Sequence, residues 1–204
     1  MNPLPHLYAI LDASCFPDTQ AMFSTAEELL AGGITLLQYR NKNGNAREML
    51  DHARELKQRV SGSVKLIMND RADLCLAAEF DGVHVGQDDL SPESARKIIG
   101  EKLCLGVSTH NSRQLEEADK TSADYIAIGP VFSTASKANP DPVVGLEGVR
   151  KARSLTRKPL VAIGGINRAN CRSVIEAGAD SVAVISDLMR EPRKSAEDFF
   201  RILG

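Results

Sequence analysis

Short, nearly unbroken apolar runs recur along this chain, separated by stretches in which apolar residues return at helical spacing. Leu7-Tyr8-Ala9-Ile10-Leu11 is the first run, and Ile34 to Arg40 reads as a second strand. Val64 to Met68 and Gly82-Val83-His84-Val85 read as the third and fourth. Leu103 to Ser108, Tyr125 to Ile128, Leu160 to Ile163 and Ser181 to Ile185 complete a set of eight. A helix is expected near Ser24 to Ala31, closed by Gly32-Gly33. Another spans Ala46 to Val60, where Met49, Leu50, Ala53, Leu56 and Val60 form a stripe with charges between them. Ser91-Pro92-Glu93-Ser94 opens a helix with an N-cap, a proline at the first position and an acid in the first turn. Asn111 to Lys120 and Asn170 to Ala177 read as two more, the latter stopped by Gly178.

Strands this uniformly apolar are buried on both faces, which is the signature of a parallel sheet covered by helices. Eight strand–helix pairs with short connections predict an α/β fold, a single-domain (β/α)8 TIM barrel over residues 1–204. An open doubly wound sheet is the competing architecture. No GxGxxG or P-loop follows any of the strands, which weakens it. No second domain or low-complexity segment is expected.

Composition narrows the function classes. With 204 residues, 43% of them hydrophobic, the chain can bury a full core. A net charge of −2 and a pI near 6.1 give no sign of a nucleic-acid-binding surface. No apolar run approaches the roughly 20 residues needed to span a bilayer, so no membrane association is expected. No secretory signal is visible in Met1 to His6, and Cys15, Cys75, Cys104 and Cys171 lack metal-ligand spacing. A cytoplasmic protein with reduced thiols is the simplest reading. A homo-oligomer is compatible with the sequence, which sets no oligomeric state.

In a barrel of this kind the chemistry sits where the strands end. The strand ends here are polar almost without exception. Gln38, Arg40 and Lys42 follow from the second strand, Asn69 and Asp70 from the third, Gln87 and Asp89 from the fourth, and Ser108 and His110 from the fifth. The sixth leads into Gly129 to Lys137, the seventh into Gly164-Gly165-Ile166, and the eighth into Ile185-Ser186. Two carboxylates on one rim suit Mg²⁺, which takes a few protein oxygens and keeps water and phosphate oxygens. Helix capping explains Asp70 and Asp89 equally well at this point. Taken singly, Arg40, Lys42 and Lys137 read as solvated loop charges, and Gly164-Gly165 as a tight turn. His84 reads as a packed or hydrogen-bonded residue, while His110 is open between structural and functional roles. Cations, amides, hydroxyls and acids gathered on one rim point to a multiply anionic ligand with a metal.

Six blocks, in order, resemble the thiamine-phosphate synthase family: Gln38-Tyr39-Arg40-Asn41-Lys42, Asn69-Asp70, Gly82 to Asp89, Gly106 to His110, Gly129 to Phe132 with Thr134-Ala135-Ser136-Lys137, and Gly164-Gly165-Ile166. The resemblance implies a barrel enzyme that joins hydroxymethylpyrimidine diphosphate to a thiazole phosphate and releases pyrophosphate. It implies that Gln38, Arg40, Lys42, Asn69, Ser108 and Lys137 hold the pyrimidine diphosphate. Arg40, Lys42, Ser108 and Lys137 are then catalytic, and Asp70 and Asp89 ligate Mg²⁺. Thr134, Ser136, Gly165, Ile185 and Ser186 fall at thiazole-phosphate positions. The chain departs from the family's usual Thr-x-Thr-Lys by carrying Ser136, which keeps the hydroxyl. Asp12 to Thr19 carries no assigned role. Two other readings stand beside this one, a related thiazole tautomerase and a non-catalytic phosphate-ligand-binding barrel.

Overall fold

The computed structural model describes residues 4–60, 62, 64–134 and 141–204. Eight parallel strands close in sequence order, the last pairing with the first. They are β1 (Leu7–Asp12), β2 (Leu36–Arg40), β3 (Lys65–Asn69), β4 (Gly82–Val85), β5 (Cys104–Thr109), β6 (Tyr125–Ile128), β7 (Leu160–Ile163) and β8 (Ser181–Val184). The helices that follow them are α1 (Thr19–Ala31), α2 (Ala46–Arg59), α3 (Ala72–Ala77), α4 (Pro92–Ile99), α5 (Ser112–Asp119), α6 (Gly145–Leu155), α7 (Cys171–Glu176) and α8 (Pro192–Leu203). The closed (β/α)8 barrel expected from the apolar pattern is therefore present, and the open sheet is not.

Boundaries differ where polar residues join an element. Asp12 completes β1, although the run Leu7 to Leu11 ends before it. Helix α1 begins at Thr19 rather than near Ser24, because the Asp18 side chain accepts the Ala21 N–H at 2.8 Å and caps it there. Ile34 precedes β2 instead of opening it. The cap at Ser91 is as the sequence suggests, and Asn111, expected inside its helix, caps it instead, each side chain accepting an N–H three residues on.

Strand periodicity divides the core in two. Leu7, Ala9 and Leu11 of β1, with Leu37 and Tyr39 of β2, belong to the shell between strands and helices. Tyr8, Ile10, Leu36, Ile67, Tyr125, Ala127, Val161 and Ala183 fill the barrel itself. Continuing each inner row towards the C-terminal end of its strand gives Asp12, Gln38 and Arg40, Asn69, His84 and Ser108. The inner rows are thus apolar below and polar above, and this places the site.

The opposite face carries a repeated brace. Asp81, Asp124 and Asp180 stand immediately before β4, β6 and β8, and their N–H groups donate to the carbonyls of Leu66, Leu105 and Leu160, each at 2.8 Å. Their carboxylates turn back to accept the N–H of the same leucines, at 2.9, 2.7 and 2.7 Å. A cation covers each: Lys57 at 3.5 Å, Arg96 at 2.7 Å and Arg153 at 2.7 Å. Arg96 is buried and also donates to the carbonyls of Gly100, Leu103 and Ser122. Arg96→Met should therefore cost about 3 kcal/mol, since Asp124 keeps its charge and loses its partner. For a chain of this size that is a fall in Tm of roughly 6–12 °C, with activity per folded molecule unchanged. A shift under about 2 °C by calorimetry would show that the brace contributes nothing.

Candidate active site

The polar upper rows open into a cleft of about 860 Å³ at the C-terminal ends of the strands. Gln38, Arg40, Lys42, Asn69, Asp70, Asp89, Ser108, Thr134, Gly165, Ile185 and Ser186 all line it. Ser136 and Lys137 lie outside the described residues. The remaining sequence-derived candidates are therefore brought to one cavity, from chain positions far apart.

Asp70 and Asp89 do not cap helices. The N-cap of α3 is Arg71, and no side chain bonds to that helix end. The N-cap of α4 is Ser91. Asp70 instead holds a left-handed backbone, φ +63°, which costs a non-glycine residue about 1 kcal/mol or more. Its N–H donates to the His84 carbonyl at 2.7 Å, and its carboxylate accepts from the Lys42 ammonium. Burial drives the Asp70 pKa up from 3.8 to about 6; Lys42 lowers it, and the adjacent Asp89 carboxyl raises it further. The Asp89 carboxylate accepts the Gly86 N–H at 2.9 Å, which turns it towards Asp70 at the β4 end. Two neighbouring carboxyls, one of them strained and desolvated, make a site that a divalent cation would relieve. Among the described residues no group of three or more His, Cys, Asp or Glu side chains could hold a metal. An ion here would rest on two protein oxygens and fill its shell with water and ligand oxygens, which suits Mg²⁺.

Arg40 is fixed by a residue to which the sequence assigned no role. Asp12, almost fully buried, receives the Arg40 guanidinium and is held in turn by the Ser14 N–H at 3.0 Å and the Ser14 hydroxyl at 2.7 Å. The signal for Asp12 was of the same kind as for Asp70 and Asp89, a carboxylate at or shortly after the end of an apolar strand. Arg168 also went unnoticed. It lies in the cleft wall and binds Asp187 through two guanidinium nitrogens at 3.0 and 3.1 Å and its own N–H at 2.8 Å, bracing the end of β8.

At the far end of the cleft, Gly164 and Gly165 adopt φ of +101° and +63°. A Cβ on Gly164 would lie 2.6 Å from the Pro130 Cα, and one on Gly165 would lie 2.5 Å from the Ser133 carbonyl oxygen. Only glycine lets the β7 and β6 loops approach this closely. His84 is buried and hydrogen-bonded through both ring nitrogens, to the Tyr125 hydroxyl at 2.9 Å and the Ser108 hydroxyl at 2.7 Å. Burial lowers its pKa to about 4, so the ring is neutral at working pH. His110 lines the cleft with Nδ1 at 2.7 Å from the Gly129 carbonyl.

Barrel and cleft together define a class: a (β/α)8 enzyme whose rim joins a carboxylate pair and two cations to a glycine-built turn opposite. A family model described as thiamine monophosphate synthase matches residues 7–188. The chain belongs to that family. It is 63% identical over 203 residues to the thiamine-phosphate synthase of Koribacter versatilis, covering 98% of this chain and 96% of that protein. It is 44% identical over 181 residues to the thiamine-phosphate synthase of Chloroflexus aurantiacus, covering 88% and 83%. The solved thiamine phosphate pyrophosphorylase from Pyrococcus furiosus superposes with a TM-score of 0.86 at 36% identity, covering 97% of this chain and 94% of that one.

The strain at Asp70 has a measurable consequence. A carboxyl whose folded pKa lies above its unfolded value binds protons more readily when folded, so its ionised form at neutral pH costs stability. Asp70→Gly removes both that charge and the backbone strain, and it frees only a half-exposed Lys42. Its unfolding free energy at pH 7 should equal that of the wild type or exceed it by about 1 kcal/mol. A loss of more than about 1 kcal/mol in denaturant titration would return Asp70 to a structural role.

Proposed function

We infer that this enzyme joins hydroxymethylpyrimidine diphosphate to a thiazole phosphate, giving thiamine phosphate and pyrophosphate. The observation that carries the reading is the convergence on one cleft of a carboxylate pair, the Arg40 and Lys42 cations and the Gly164-Gly165 turn. The activity named for relatives up to 63% identical over nearly the whole chain supports it.

In this reading Gln38, Asn69 and Ser108 orient the pyrimidine diphosphate, and Arg40, Lys42 and Lys137 face its phosphates. Thr134, Ser136, Gly165, Ile185 and Ser186 receive the thiazole phosphate, at the β7–β8 side where barrels commonly frame phosphate with backbone N–H groups. Asp70 and Asp89 would hold Mg²⁺, which when bound neutralises charge building on the pyrophosphate. The pyrimidine C–O bond breaks with its electron pair leaving on pyrophosphate, and the ring's amino group spreads the resulting positive charge. The thiazole nitrogen then attacks the methylene carbon. Such a sequence asks for leaving-group stabilisation and alignment rather than for a general base, and His84, held by two hydroxyl partners, is not called upon for one. The cysteine thiols are free, and among the described residues no helix is long and apolar enough to cross a membrane. A cytoplasmic setting is proposed for this chain, as for a biosynthetic enzyme acting on small phosphorylated molecules.

The direct experiment supplies purified protein with both substrates and follows pyrophosphate, with Mg²⁺ and after chelation. Release should require both substrates and stop without the metal; Mg²⁺-independent isomerisation of the thiazole alone would favour the tautomerase. Asp89→Asn should cut turnover by roughly 10²-fold or more, as for loss of one preorganised charge partner, and near-normal rates at limiting Mg²⁺ would remove it from the metal site.

The two ends of the cleft should separate kinetically. Thr134→Ala should raise KM for thiazole phosphate and leave KM for the pyrimidine diphosphate unchanged. Lys137→Ala should instead lower kcat by roughly 10²-fold with little effect on either KM, because its cation acts as the C–O bond breaks. The opposite pattern in steady-state kinetics would mean that the halves of the site are reversed.

A further inference from the structure

Five polar side chains from five strands form one hydrogen-bonded chain across the top of the barrel interior. The Gln38 amide N–H donates to the Tyr8 hydroxyl at 2.8 Å, and Tyr8 meets the Tyr125 hydroxyl at 3.0 Å. Tyr125 meets His84 Nδ1 at 2.9 Å, and His84 Nε2 meets the Ser108 hydroxyl at 2.7 Å. Gly106 makes the passage: a Cβ there would stand 2.3 Å from the Tyr125 oxygen and 2.5 Å from His84 Nδ1. Gln38, Tyr8, His84 and Ser108 border the cleft, while Tyr125 is sealed behind them. Its ring stacks on His84 at 5.5 Å and meets Tyr8 edge-on at 6.1 Å.

The direction of the bonds follows from the Gln38 end. Tyr8 accepts from the amide, so its own hydrogen has one remaining use among the described residues, the Tyr125 oxygen. Sending it elsewhere would strand a buried hydroxyl, at a cost of about 1–3 kcal/mol. Tyr125 then donates to His84 Nδ1, and the neutral imidazole carries its hydrogen on Nε2 and donates to Ser108. At one end, the Gln38 carbonyl and its second N–H are left for the cleft. At the other, the Ser108 hydroxyl hydrogen is released towards the cleft.

We propose that Tyr8, Tyr125 and His84 form a positioning relay that sets the hydrogen-bonding sense of Gln38 and Ser108 together, and thereby makes the cleft select an amino-substituted pyrimidine over its oxo counterpart. This rests on the pyrimidine diphosphate reading above. An amino group beside a ring nitrogen presents a donor next to an acceptor, which an amide carbonyl and N–H match in bidentate fashion, as in amide–adenine pairing. The oxo compound presents an acceptor next to an N–H donor and requires the Gln38 amide to turn over. Its oxygen would then face Tyr8, and Tyr8 would have to donate to Gln38 and accept from Tyr125. Tyr125 would accept from His84 Nδ1–H, and Ser108 would donate to His84 Nε2. The reversed chain is complete, but Ser108 no longer offers a hydrogen to an anionic ligand. Accepting the wrong ring at one end removes a charge-assisted bond at the other.

The relay predicts that wild-type kcat/KM for the aminopyrimidine diphosphate exceeds that for the oxo analogue, and that Tyr125→Phe reduces this ratio by roughly 10–100-fold, the worth of one hydrogen bond to a charged group. Phenylalanine keeps the ring packing and removes only the hydroxyl that couples the two ends. Tyr8→Phe should reduce the ratio similarly, whereas Ile67→Val, an apolar change in the same interior but outside the cleft lining, should not move it. The ratio is internal to each variant, so a general loss of folded enzyme cancels. Unchanged selectivity in Tyr125→Phe with an active wild type overturns the proposal. A second readout needs no turnover: ¹⁵N NMR of the free wild-type protein should show His84 as the Nε2–H tautomer, and an Nδ1–H tautomer overturns the proposed sense. A wild type that releases no pyrophosphate would refute the coupling reaction, while the tautomer would still decide the relay.

Discussion

Closure of eight parallel strands leaves an interior that one inward-facing row from each strand must fill, and a polar group placed there is costly unless it finds a partner inside; among the described residues the buried Ser181 hydroxyl of β8 is left without one. Tyr8, Ile10, Leu36, Ile67, Tyr125, Ala127, Val161 and Ala183 meet this constraint lower down by being apolar or by offering a single hydroxyl. One step further along the same rows, Asp12, Gln38, His84 and Ser108 meet it by bonding to side chains of other strands. The cleft is what remains above them. Gln38, His84 and Ser108 are held by contacts made in the barrel interior, where water competes less for the same groups.

The two ends of the barrel use carboxylates in opposite ways. At the N-terminal face, Asp81, Asp124 and Asp180 are tied to backbone N–H groups and covered by cations, which suits a structural brace. At the C-terminal face, Asp70 is strained, its pKa is driven up, and a second carboxyl stands beside it. The first arrangement stabilises the fold by itself. The second stays strained and desolvated even with Lys42 paired to Asp70, which supports the proposal that these carboxyls are kept for a metal ion.

Periodicity made the barrel legible, because strands buried on both faces cannot be concealed in a chain: Val64 to Met68 and Leu160 to Ile163 announce themselves. It also placed Gln38, Asn69, Asp70, Asp89 and Ser108 at one rim, since parallel strands end together. It could not show which carboxylate cap was real, because Asp18, Asp70 and Asp89 carry the same local signal and only the loop conformation separates them. Asp12 was passed over for a related reason: its partner Arg40 lies in the neighbouring strand, and the pairing exists only in the closed sheet. Tyr8 and Tyr125 read as ordinary strand aromatics, and the bond between them spans 117 positions of sequence, beyond any pattern of local spacing. The sequence pattern likewise did not delimit helices α3, α6 and α8.

The central claim is that Asp70 and Asp89 are one metal site serving the phosphate end of the cleft. Its most direct test is a crystal structure grown with Mn²⁺ and pyrophosphate, with Mn²⁺ replacing Mg²⁺ so that anomalous scattering identifies the ion. The account predicts one anomalous peak bound by both carboxylates at about 2.0–2.2 Å, with pyrophosphate oxygens completing the shell and the Lys42 ammonium moved from Asp70 onto the phosphates. Metal density elsewhere in the cleft, with Lys42 still paired to Asp70, would contradict it.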